Sequence, residues 1–234
     1  AEEAAAAGLA LRRKGSWQAD SRALAEQLRA RMEPARRAGM QRAAAEHLEA
    51  ERSADARTLC RLWEGAGELG RAAEQAERAA TAAEAEGDPA DAAALWGRAL
   101  RLRGRERDRR CEIRGRQAHA LMDAGLHEEA ARAFGAAAFL AITAADRAAL
   151  LARQAHALVY AGRFDRALSV AERAAALADG PDAPEIRALA HKASGTVLGR
   201  LGREDEAIPV LERALFSISG RGDLEAEADL LQIL

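Results

Sequence analysis

A chain of 234 residues, 49% of them hydrophobic, can bury a substantial core, as one large domain or two small ones. Its apolar content is mostly Ala and Leu, with only 3% aromatic residues, which favours closely packed helices over strands, where β-branched and aromatic side chains predominate. The 35 Lys and Arg against 37 Asp and Glu leave a formal net charge of −2, so no general attraction to nucleic acid or an anionic membrane is expected.

Lys14 and Lys192 are the two lysines, and the surplus of Arg reads as the coding bias of a GC-rich genome. Cys60 and Cys111 have neither zinc-ligand spacing nor the density of a disulfide scaffold. No run of 18 apolar residues and no leader pattern is present, and a cytoplasmic, all-α protein is expected. The first residue is not Met and the last stretch, LEAEADLLQIL, ends inside a helical pattern, as a piece of a longer polypeptide would.

In chain order, residues 1–35 read as an N-terminal helical segment. Pro34 stands between two helical patterns and is expected in the first turn of the second. From residue 36 to residue 219 a repeat takes over. A Gly is followed five residues later by Ala, at nine by a larger residue or Ala, and at twelve by Ala. The four clear copies are Gly87, Ala92, Trp96, Ala99; Gly125, Ala130, Phe134, Ala137; Gly162, Ala167, Ala171, Ala174; and Gly202, Ala207, Leu211, Ala214. A weaker copy puts Ala54 at the Gly position, with Leu59, Trp63 and Ala66 after it, so the phase positions lie 33, 38, 37 and 40 residues apart. The segments 103–110 and 179–187 read as links between pairs, and 220–234 as a terminal helix. The hexapeptide RQAHAL appears at 116–121 and again at 153–158, in the same phase both times.

A period near 34 with small residues fixed within two amphipathic stretches is the signature of a helix-turn-helix array, and at these residues the chain resembles the tetratricopeptide repeat (TPR) family. That resemblance implies an all-α fold of antiparallel helix pairs stacked in a right-handed superhelix, an α-solenoid. Its departures are the missing Pro at the end of each unit and the longer spacings. The stretch LRARMEPARRAGMQRAAAEHLEA, leading into the repeats, resembles the junction after the winged-helix part of large bacterial signal-transduction ATPases of the STAND type. This implies fusion to an ATPase or regulatory domain outside the chain, which itself has no GxxxxGK[ST] phosphate loop.

In the TPR family the first helix of each pair lines the concave groove. With each turn Gly as position 15, position 9 carries Thr81, His119, His156 and Thr196, and position 6 carries Arg78, Arg116, Arg153 and Ala193, with Lys192 beside the last. Asp123 and Tyr160 stand two residues before their turn glycines and are counted with this ligand-binding set. A repeated Arg suits an acidic peptide or a terminal carboxylate, which guanidinium grips in a bidentate manner. His119 and His156, with Asp123 nearby, are too few for a metal site, and no Ser or Cys nucleophile accompanies them. No catalysis and no cofactor are therefore expected. The nine arginines between Arg98 and Arg116 straddle a link and read as solvated charge rather than a nucleic-acid surface. The expected function is a non-catalytic protein- or peptide-binding scaffold, the sensor or partner-docking part of a larger regulator. A small-molecule sensor and an oligomerisation arm are the alternatives.

Overall fold

A computed structural model describes residues 10–13, 16–19, 31–104, 106–178 and 184–219. Among these the chain forms a two-stranded hairpin, β1 (Ala10–Arg13) and β2 (Ser16–Ala19), and ten helices. They are α1 (Pro34–Ala50), α2 (Ala56–Gly65), α3 (Leu69–Glu86), α4 (Pro89–Leu102), α5 (Arg107–Asp123), α6 (His127–Leu140), α7 (Ala144–Tyr160), α8 (Phe164–Leu177), α9 (Pro184–Arg200) and α10 (Glu204–Ile218). Two compact units are formed, Ala1–Ala72 and Ala73–Leu234, the division falling inside α3.

The hairpin corrects the expectation of a wholly helical segment over 1–35. β1 and β2 pair antiparallel, with Leu11 opposite Gln18 and Arg12 opposite Trp17. The sequence between them is Lys14-Gly15, a two-residue spacing ending in Gly, and this hairpin signal outweighs the Ala-rich surroundings. The anticipated terminal helix over 220–234 lies outside the described residues.

In the first unit α1, with Pro34 in its first turn, packs on α2. Trp63 is fully buried there; its Nε1 donates to Glu49 Oε1 at 2.9 Å, and the Arg71 guanidinium sits 4.5 Å from its ring centroid. The left-handed residue of this turn is Arg52, with φ 51°, and not Ala54. The Ser53 N–H closes the end of α1 on the Leu48 carbonyl at 3.1 Å, and one more residue, Ala54, precedes Asp55, which caps α2 by accepting from the Thr58 N–H. That backbone bond, with the Thr58 hydroxyl next, lowers the pKa of Asp55.

In the second unit the glycines fall where the phase puts them. Gly125 has φ 75°, its N–H reaches the Met122 carbonyl, and the Leu126 N–H reaches the Leu121 carbonyl, both at 2.9 Å. This is the left-handed helix stop that Gly adopts without a Cβ penalty. Gly87, Gly162 and Gly202 share the conformation. The middle second helices pack on the first helix of the next pair as well as on their own, α6 against both α5 and α7 and α8 against both α7 and α9, which is the stacking of a solenoid.

Packing explains why the phase exists. Position 8 of each first helix, seven residues before the turn, is Ala80, Ala118, Ala155 or Gly195, all buried. Nine residues after the turn stand Trp96, Phe134, Ala171 and Leu211, each at most 2% exposed. Ala118 and Phe134 share one core cluster, and Ala155 and Ala171 share another. At the last pair a Cβ on Gly195 would stand 2.5 Å from both Cγ and Cδ2 of Leu211, so the larger partner has taken the room left by the missing side chain.

The Gln of RQAHAL is part of the same joinery. Gln117 and Gln154 lie over Gly97 and Gly135 of the preceding second helix, where an added Cβ would come within 2.9 and 2.6 Å of the amide nitrogens. Gln117 Nε2 also donates to the Ala93 carbonyl at 3.5 Å. Ala130 and Ala167, five residues after their turns, are both 0% exposed. Ala130→Leu and Ala167→Leu should therefore each cost about 1–3 kcal/mol through overpacking, read by chemical denaturation. Two neutral results would contradict the packing phase.

Candidate functional site

The polar residues singled out on the first helices face one another across successive repeats. On α5, Arg116 donates to the Thr81 hydroxyl of α3 at 3.3 Å, stands 3.7 Å from Glu84 and lies 5.2 Å from the Trp96 ring centroid. One repeat on, Arg153 of α7 reaches His119 Nε2 of α5 at 2.8 Å. At these two steps position 6 of a repeat meets position 9 of the one before. Lys192 of α9 continues the series, its charge acting on His156 of α7. Arg78 makes only a long contact to Gln75 Oε1, 3.5 Å, on its own helix. Thr196 turns its hydroxyl back to the Lys192 carbonyl, 2.8 Å away.

The Arg153 contact fixes a protonation state. Guanidinium can only donate, so His119 Nε2 accepts, and the ring is neutral with its proton on Nδ1. Partial burial, then the Arg153 charge, lower the pKa of His119, outweighing Asp123 and Glu84. The ring also stands edge-on to Phe134, centroids 5.1 Å apart. His156 is lowered by burial first and then by Lys192, His127 and Arg153. Its ring makes an edge contact with Tyr160 at 4.9 Å, and Tyr160 in turn lies 5.1 Å from the His127 ring. The phenol is 61% exposed. Each histidine is therefore held by its own aromatic neighbour.

The surface differs in charge from the uniform basic stripe that a repeated Arg suggests. A cavity of about 710 Å³ contains Arg78, Thr81 and Arg116, but Glu74, Glu77 and Glu112 line it too. Glu77 is buried, and both Arg103 and Arg109 bind it. Arg103 Nε lies 2.8 Å from its Oε1. These bonds raise the pKa of Arg109, Glu77 being the largest cause. The acids arise at positions outside the 6-and-9 register, which is why they escape a reading of that register alone.

Sequence reasoning also missed a second series, fifteen residues before the turn glycines: Arg110, Arg147 and Arg187. Each donates to a carbonyl at or just beyond the end of the preceding second helix. Arg110 bonds the Leu100 oxygen at 3.0 Å, Arg147 the Ala141 oxygen at 3.2 Å, and Arg187 the Ala178 oxygen at 3.3 Å. Helix C-termini leave unpaired carbonyls and partial negative charge, which these side chains satisfy. Their regular spacing was available as the signal. Within the Arg98–Arg116 run Arg107 is used in this way too, binding the Leu140 and Phe139 oxygens at 2.8 and 3.2 Å.

The fold and groove together define a TPR-like helical-repeat protein. No known protein-family profile matches the chain, and no curated protein sequence does. Similar solved structures include a Podosopora anserina putative kinesin light chain with nearly identical TPR-like repeats, 16% identical, covering 82% of this chain and 99% of that one, with a TM-score of 0.56. BtubC (BKLC) from P. vanneervenii is 18% identical over 87% of this chain and 82% of its own, TM-score 0.55. A Rap protein complexed with Competence and Sporulation Factor is 16% identical over 91% and 68%, TM-score 0.50. Among the described residues no helix is long and apolar enough to cross a membrane.

A pH dependence follows from the histidines. Because their folded-state pKa values lie below that of free imidazole, the unfolded chain takes up protons first as pH falls through about 6.5. Their contribution to stability is constant above that pH and declines below it until the lowered pKa values are passed. Replacing both by Gln should flatten the decline in melting temperature between about pH 6.5 and 5. An unchanged slope would contradict the assignment.

Proposed function

We propose that the groove formed by the first helices docks a protein or peptide, and that the chain is a non-catalytic partner-docking arm of a larger regulatory protein. The observation carrying this reading is the repeated polar contact between positions 6 and 9 across successive first helices, Arg116 with Thr81 and Arg153 with His119. It keeps polar groups in register along one surface while the core residues beside them stay buried. A protein of similar fold has been solved holding the Competence and Sporulation Factor, which supports partner binding by this architecture. The likeness of residues 28–50 to the junction of STAND-type ATPases, together with a β-hairpin before the helices, supports placement after a winged-helix region.

Within the groove an acidic side chain is received at the Arg153–Lys192 step. Arg116 already has Glu84 at 3.7 Å, whereas Arg153 faces a neutral imidazole. Burying a charge-assisted contact to an Arg is worth about 1.5–3 kcal/mol. Short acidic, basic and neutral peptides, titrated by fluorescence anisotropy, should show selective binding of the acidic set, weakening with salt. The Arg153→Ala, Lys192→Ala double variant should lose about tenfold or more in affinity with its melting temperature unchanged, and Arg116→Ala should lose less. No preference for acidic peptides, or an unaffected double variant, would overturn the proposal.

A further inference from the structure

A second cluster of cationic side chains lies outside the 6-and-9 register. A cavity of about 1210 Å³ is lined by six arginines, Arg103, Arg107, Arg110, Arg132, Arg147 and Arg173, with Ala138, Leu140 and Leu151 among its apolar members and no carboxylate. It draws on the end of α4, the starts of α5 and α7, the second half of α6, and α8.

These six are not equivalent. Arg103 is set against Glu77, and Arg132 against Glu129 at 3.2 Å. Among the described residues Arg107, Arg110 and Arg147 bind backbone oxygens and no carboxylate, which orients the guanidinium without neutralising it. Arg173 is exposed and makes no ion pair among the described residues. With the C-termini of α4 and α6 each worth about half a negative charge, about three positive charges remain uncompensated. Their effect is felt locally: after burial, the Arg110 charge lowers the pKa of Arg114. Holding like charges together costs energy unless an anion joins them.

We infer that this cavity is a binding site for a compact phosphate-bearing polyanion, either the phosphate chain of a nucleotide or inorganic polyphosphate. Three features favour phosphate over the carboxylates of an acidic polypeptide. The charge is gathered at one concavity, whose lining along α6 runs about 12 Å from Arg132 to Leu140 at about 1.5 Å per residue. The guanidiniums are already oriented, and their planar forks match phosphate oxygens. No sheet edge or line of separate side-chain pockets is there to hold an extended peptide. The site shares Arg103 with the cavity that Glu77 lines, but none of the groove residues at positions 6 and 9.

The test is isothermal titration of the whole chain with inorganic tripolyphosphate, with ATP and with an oligoglutamate of matched charge. Both phosphate probes should bind, with affinity falling steeply as salt rises. Tighter binding of ATP than of tripolyphosphate would assign a nucleotide, and equal or tighter binding of tripolyphosphate the inorganic anion. Arg173→Glu, at an exposed position with no ion pair among the described residues, and Arg107→Ala should each reduce affinity about tenfold, while Arg153→Ala, Lys192→Ala should leave it unchanged. Absence of phosphate binding at low salt, tighter binding of oligoglutamate, or an unaltered Arg173→Glu titration would overturn the inference.

Discussion

The close approach of the two helices in each pair is the constraint on which the second unit depends. A first helix can lie against its partner only where one contributes almost no side chain, and Ala118, Ala155 and Gly195 meet that need on three successive first helices. The partner residue is then free to vary in size, from Ala171 to Leu211 to Phe134, provided the pair fills the gap. Close packing leaves little tolerance on either side of that fit. Because the middle second helices also pack on the next first helix, one crossing sets the seat for the following one.

From this follows the meaning of the duplicated RQAHAL. Each letter has a separate task set by the helical period: the Arg reaches back to the preceding repeat, the Gln covers a glycine of the preceding second helix, the first Ala sits at the crossing, and the His returns to the polar surface. The motif is duplicated because the interface it serves is duplicated. Its Arg and His share one surface, so the demands of packing and the composition of that surface are linked through one stretch of sequence.

The sequence made the second unit's turns legible, since a left-handed residue at Gly87, Gly125, Gly162 and Gly202 leaves a mark that composition cannot hide. The first turn was displaced by two residues because a left-handed Arg52 carries no such mark. The N-terminal hairpin was hidden by Ala-rich flanks, although the Lys14-Gly15 spacing was there to be read. In the candidate groove, which side chains share a surface was legible from the register, but their charge balance was not. Glu77 and Glu84 come from other positions of the same helices, and only three-dimensional placement shows Glu77 between two arginines and Glu84 beside Arg116. Of the arginines that cap helix ends, Arg107 and Arg110 were hidden within the run of other arginines, while the fifteen-residue offset shared by Arg110, Arg147 and Arg187 was there to be read.

Size complementarity at the crossing is tested most directly by a double-mutant cycle at Gly195 and Leu211. Gly195→Ala alone should destabilise the chain, because its new Cβ would lie 2.5 Å from the Leu211 branch carbon. In a Leu211→Ala background the same change should reverse sign and stabilise by up to about 1 kcal/mol, the helix-propensity gain of Ala over Gly. Equal effects of Gly195→Ala in the two backgrounds would contradict the account.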